Sequence, residues 1–185
     1  MTHLSALGVL VFLVAPSQDP LVARVRQTAY ARMELASGVA HDAAVMGFVQ
    51  AKNDQQETPA EIQKRDGRWK AGGETELRKE TTTGPCADRL RALTKGDPFV
   101  LEAFLMDAQG ALVCATHETS DYWQGDEAKW QKTYRDGTQV FVDDPALDPS
   151  TGTFAVQLSR IVADAHGKIG ALTLTLKVPR SSLAR

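Results

Sequence analysis

A chain of 185 residues, 43% apolar and 24% charged, has the length and composition of one soluble globular domain with its own core. Its formal net charge of −2 supplies neither the basic footprint of a nucleic-acid binder nor a polybasic membrane patch. DNA and RNA are therefore not expected as partners.

Residues 1–17 read as a secretory signal. Positions 4–14 are an almost unbroken apolar run, followed by Ala15-Pro16-Ser17 with small residues suited to cleavage. The run is shorter than the roughly 20 residues that a membrane span needs. The expected mature domain is 18–185, helical over 20–96 and sheet-forming over 99–178, in the periplasm. Export places Cys86 and Cys114 in an oxidising compartment, where one bridge is open to them. Neither belongs to a CxxC or a zinc cluster, and buried, unpaired thiols are expected ahead of a bridge.

Positions 20–52 are Ala-rich, with Val22, Val25, Ala29, Met33, Ala36, Val39 and Ala43 at helical spacing. One helix of that length is about 50 Å long, more than a small domain covers, so one end projects or two protomers pair along it through Ala36 and Ala40. Residues 53–57 read as a loop. Thr58-Pro59-Ala60-Glu61 then combines an N-cap Thr, a first-turn Pro and a capping-box Glu, and predicts a helix to about residue 70, ended by Gly72-Gly73. The charged, Thr-rich residues 74–83 read as a mobile surface segment. Gly84-Pro85 opens a short helix through Leu90 and Leu93.

After Pro98 the pattern becomes strand-like. Strands are predicted over 99–106 and 111–116 around a turn at Asp107-Ala108-Gln109-Gly110, then over 139–142 and 154–162. In a fifth strand Leu172, Leu174, Leu176 and Val178 alternate with Ala171, Thr173, Thr175 and Lys177, which predicts Leu facing the core and Thr and Lys facing out. Residues 143–150 form an acidic, Pro-punctuated loop. Asp143, Asp144 and Asp148 offer oxygens to calcium but lack the EF-hand spacing, and Pro145 and Pro149 favour a rigid turn. No metal or cofactor is expected, and a calcium-stabilised domain stands as an alternative.

Between the second and third strands, residues 119–134 hold two of the three Trp and two of the three Tyr. On a helix, Trp123, Trp130 and Tyr134 fall within roughly 40° of one another, with Glu127 beside them. The stretch lacks aliphatic residues, and Gly125 predicts a tight turn before Asp126 as N-cap. It reads as a binding wall rather than a core stripe. Tyr122, Trp123, Trp130 and Tyr134 suit a ligand's apolar body or cationic nitrogen. Asp121, Asp126 and Glu127 suit an amine, whereas Lys129, with Arg135 and His117, suits a carboxylate. The sign of the ligand's charge stays open. Cys114, His117 and Asp121 are the nearest approach to a catalytic set, but they lie along one strand end, and the chain carries no nucleophile elbow, no HExxH and no phosphate-cradling loop. No enzymatic activity is expected.

Read together, Phe104-Leu105-Met106-Asp107-Ala108-Gln109-Gly110 and Thr119-Ser120-Asp121-Tyr122-Trp123-Gln124-Gly125-Asp126-Glu127-Ala128-Lys129-Trp130-Gln131-Lys132-Thr133-Tyr134 resemble the PDC (Cache) extracytoplasmic sensor domains, and within them the small secreted single-domain members of Gram-negative bacteria. The likeness covers about residues 21–178 and continues in Asp148-Pro149-Ser150-Thr151 and Ile169-Gly170-Ala171. It implies an α+β, PAS-like fold with a long N-terminal helix packed on a five-stranded antiparallel sheet. It also implies signal transduction through a small ligand (amino acid, carboxylate or amine) held between the sheet and the segment joining the second and third strands. Family members usually precede a kinase, cyclase or chemoreceptor module. Here the sequence stops at Arg185, so the expectation is an accessory binder that presents its ligand to a membrane sensor kinase or chemoreceptor. The alternative is a dimerising structural module with no exchangeable ligand.

Overall fold

A computed structural model describes residues 20–148 and 153–178. The leader at 1–17, the bulk of the Asp148-Pro149-Ser150-Thr151 motif and the C-terminal residues lie outside them. The N-terminal helical stretch is present, but as three pieces: α1 Pro20–Tyr30, α2 Met33–Ala40 and α3 Ala43–Asn53. Asp42 makes the second break. Its backbone is extended (φ −67°, ψ 127°), and its Oδ1 accepts from Ala44 N at 3.1 Å and Val45 N at 3.2 Å, so a new helix starts there. Arg32 marks the first break, with its guanidinium on Asp97 at 3.0 Å and over the Phe99 ring at 4.1 Å. The breaks resolve the length problem: α1 and α2 lie on one sheet strand and α2 and α3 on its neighbour, instead of one rod overshooting the domain. Ala36 and Ala40, the expected dimer contacts, are buried in this chain's own core.

Helix α4 (Pro59–Lys70) starts at Thr58 with both halves of the capping box formed, as its sequence predicts. Residues 74–83 depart from expectation. They form α5 (Thr75–Thr83), tied down by the Arg78 guanidinium, which stacks 4.4 Å over the Trp69 ring and donates to the Trp69 and Gly73 carbonyls. Glu74 likewise pairs with Arg68. Helix α6 (Pro85–Thr94) follows with Pro in its first turn.

The sheet comprises β1 Val100–Met106, β2 Leu112–Ala115, β3 Val140–Val142, β4 Ala146–Asp148, β5 Thr153–Asp164 and β6 Gly167–Lys177. It is antiparallel throughout, in the order β2-β1-β6-β5-β3, with β4 also on β5. The sixth strand, β4, occupies what read as part of the acidic loop: Pro145 lies just before the pairing and does not interrupt it.

Both faces of the sheet are covered. Ala103, Leu105, Val156, Leu158, Leu172 and Leu174 meet the N-terminal helices in one core. Phe104, Met106 and Ala171 face the other way, into a second core with Ile62, Trp69 and Tyr122. Thr173 and Thr175, expected to face solvent, are buried in that second compartment, and Ser159 and Thr173 share a hydroxyl hydrogen bond of 2.8 Å. Strict alternation identifies two faces but cannot say that both are roofed.

Cys86 and Cys114 are joined, against the expectation of unpaired thiols. The bridge ties the first turn of α6 to the edge strand β2, with Cα atoms 5.9 Å apart. The same bond removes Cys114 as a nucleophile.

Asp42→Ala is expected to cost about 1–2 kcal/mol, the worth of an N-cap plus a modest ion pair to Arg89 of α6. The hydrogen bond from Arg89, with those from Val45 and Ala44, holds the Asp42 carboxyl below its ordinary value. A depressed carboxyl stabilises above its unfolded value of about 3.9 and loses that contribution as pH falls through its folded one. The gap between urea melts of wild type and variant is therefore expected to hold from pH 7 to about pH 4 and to narrow below it.

Candidate ligand-binding site

The second face of the sheet presents polar and aromatic side chains in rows that follow the strand register. Glu102 on β1 pairs with Thr175 on β6, and Thr175 with Gln157 on β5. One row over, Phe104 pairs with Thr173 and Thr173 with Ser159. Beyond Gln157, Asp143 N donates to the Gln157 carbonyl at 3.0 Å, which extends the first row onto a fourth strand position.

Residues 117–135 cross this face as a strap. Its anchor is Asp66 of α4, whose Oδ1 accepts from Tyr122 N and Trp123 N, each at 3.0 Å. A second anchor is the β1–β2 turn. The Asp107 carboxylate accepts from Gln109 N and Ala111 N, while burial pushes its carboxyl up against the downward pull of those donors. The turn needs Gly110 at φ +81°, and any Cβ there overlaps Gly125 of the strap, so the two glycines allow the backbones to touch. The strap then continues as one short helical turn, α7 (Ala128–Trp130), and a π-helical turn, Gln131–Arg135.

The aromatic residues hold the strap in place. Tyr122 is fully buried, 5.8 Å from Trp69 between ring centroids, and its hydroxyl donates to Glu57 at 3.0 Å beside Lys52 and Arg65. Burial pushes the Tyr122 hydroxyl up, outweighing those two cations. Trp123 donates its ring N–H to the Gln109 carbonyl at 2.9 Å, and Trp130 to the Asp107 carbonyl at 3.1 Å. Trp130 stacks on Tyr134 with centroids 5.3 Å apart. Trp123 lies outside the helical turns, so the single wall of three rings expected from helical spacing does not form. Nor is Asp126 the cap: it is exposed, and Glu127 precedes α7. Asp121 accepts from Ser120 and from the Gln124 amide and lies 3.7 Å from Lys70.

Between strap and sheet lies a cavity of about 620 Å3. Its floor is Glu102, Phe104, Gln157 and Thr175. Its strap side is Thr119, Ser120, Gln124 and Lys129, and Asp143, Asp144 and Leu147 form its rim. Of the eight residues singled out within 121–134, only Lys129 lines it. Lys129 is 6% exposed, with its ammonium 2.6 Å from Glu127 and 5.1 Å from the Phe104 ring centroid. The floor residues were missed, although part of their signal was present: Glu102, Gln157 and Thr175 are polar residues in strands rich in apolar ones. Among the described residues, no group of three or more His, Cys, Asp or Glu is placed to hold a metal ion. There, Asp144 pairs with Arg26 at 2.7 Å.

No family model matches the chain, and no curated protein matches it in sequence. Among solved structures it is similar to the sensor domain of the Vibrio cholerae histidine kinase DctB, with a TM-score of 0.45, 11% identity, and coverage of 85% of this chain and 53% of that one. It is also similar to the ligand-binding domain of the Pseudomonas aeruginosa PAO1 amino acid chemoreceptor PctC in complex with GABA, with TM-score 0.43, 15% identity, and 85% and 60% coverage. The ligand-binding domain of the Campylobacter jejuni chemoreceptor Tlp3 in complex with 4-methylisoleucine is similar at TM-score 0.38, 12% identity, and 84% and 60% coverage. The chain resembles sensor domains of histidine kinases and chemoreceptors. It spans only about half to three-fifths of each of these. Among its described residues no helix is long and apolar enough to cross a membrane.

Proposed function

We propose that this chain is an extracytoplasmic small-molecule sensor domain whose ligand occupies the cavity between the strap and the sheet. The observation that carries the reading is that cavity itself. It has the volume of a metabolite site, one aromatic floor residue, a buried ammonium and convergent carboxylate, amide and hydroxyl groups, a lining that orients a ligand as well as enclosing it. In this reading Lys129, alone of the eight residues singled out within 121–134, meets the ligand. The remaining seven, Asp121, Tyr122, Trp123, Asp126, Glu127, Trp130 and Tyr134, serve in this reading to build and hold the strap. The domain works as an accessory binder, exported to the periplasm, that passes its liganded state to a membrane sensor kinase or chemoreceptor.

A thermal-shift screen of amino acids, carboxylates and amines tests this. At least one compound is expected to raise the melting temperature by several degrees at a hundredfold excess over its dissociation constant, where linkage contributes about 2.7 kcal/mol. Gln157→Ala, at the polar floor, is expected to abolish that shift. A screen without a hit, or a hit that Gln157→Ala leaves untouched, overturns the site.

A further inference from the structure

The row Glu102–Thr175–Gln157–Asp143 has a carboxylate at each end and neutral hydrogen-bonding side chains between. Its four positions sit on neighbouring strands, so three strand spacings of about 4.8 Å separate the end backbones by about 14 Å. Both terminal side chains line the cavity. With the side chains upright on their strands, ammonium-to-carboxylate contacts of about 2.8 Å at each end leave room for two nitrogens about 8–9 Å apart, and less as the side chains lean inward. An extended five-carbon chain places its terminal nitrogens about 7.5 Å apart.

We propose that the ligand of this cavity is a linear diamine lying across the strands along that row, one ammonium toward Glu102 and the other toward Asp143. The inference rests on the cavity being the ligand site and adds the ligand's class and direction. The charge of the lining agrees. Its carboxylates outnumber its single ammonium, and that ammonium, on Lys129, is already matched by Glu127 at 2.6 Å. Glu118 and Asp144 are matched from behind by Arg78 and Arg26, whereas Asp143 forms no ion pair among the described residues. Glu102 is engaged within the fold, with Thr175 at 3.5 Å among its contacts, and a carboxylate accepts several donors at once. A ligand carboxylate, by contrast, would have to share Lys129 with Glu127 while facing the acidic rim.

Isothermal calorimetry with 1,5-diaminopentane, 5-aminopentanoate and pentanedioate separates charge from chain length, because all three share a five-carbon chain. The diamine is expected to bind at least tenfold more tightly than the other two. Glu102→Gln and Asp143→Asn, both close in shape to the originals, are each expected to weaken it about tenfold. If the amino acid or the diacid binds best and Lys129→Met abolishes that binding, the diamine assignment is overturned and the cavity stands as a ligand site. If none of the three binds, the assignment is overturned as well, and the wider screen decides separately whether the cavity takes a ligand.

Discussion

Asp66→Ala is expected to destabilise the domain by about 3–4 kcal/mol and to loosen the strap over the cavity. Asp66 is 5% exposed, and one oxygen accepts both the Tyr122 and the Trp123 backbone N–H groups. Alanine leaves two donors without a partner, each costing about 1–3 kcal/mol when buried. The other oxygen takes Lys70 at 2.6 Å, but the Lys70 side chain is 49% exposed, so that pair contributes little on its own. Lys70→Met is therefore expected to cost under about 1 kcal/mol, and Asp66→Asn, which keeps one acceptor oxygen, to fall between the two. Urea unfolding followed by tryptophan fluorescence measures all three. Equal losses for Asp66→Ala and Lys70→Met would show that the ion pair, not the backbone anchor, matters.

The double variant Cys86→Ser, Cys114→Ser is expected to lose about 3–4 kcal/mol. The bridge closes a loop with a sequence separation of 28, and the chain-entropy relation gives about 3.6 kcal/mol for a loop of that size. It also fixes α6 to β2, which among the described residues is an edge strand of the sheet, beside β1. Wild-type protein melted in excess reductant is expected to match the double variant, and the difference between them without reductant measures the bridge. A wild type indifferent to reductant would mean that packing of α6 already does the work of the bond.

Local signals were legible where the chemistry is local. Thr58-Pro59-Ala60-Glu61 forms its helix start as read, because a capping box is satisfied within four residues. The hairpin of β1 and β2 turns at Asp107 and Gly110 for the same reason: the Asp side chain and a positive-φ glycine suffice. The Cys86 and Cys114 pairing was not legible, since proximity in space is set by how α6 crosses β2. The aromatic stretch is not built as helical spacing predicts. Helical spacing put Trp123, Trp130 and Tyr134 on one wall, whereas Trp123 is taken out of the helix by Asp66 and its ring is held by the Gln109 carbonyl. No periodicity within 119–134 carries information about acceptors on α4 or on the β1–β2 turn.

The amino-acid order alone thus indicated the class of fold, the helix starts at Pro59 and Pro85 and five of the strands, because caps, turns and two-residue alternation act over a few positions. Assembly in three dimensions chose everything that needs distant partners: the three-way break of the N-terminal helix, the disulfide, the burial of Thr173 and Thr175, and the row from Glu102 to Asp143 that floors the cavity. The physical reason is that strand register and helix crossing bring together side chains tens of residues apart, and neither leaves a trace in any short window of the chain.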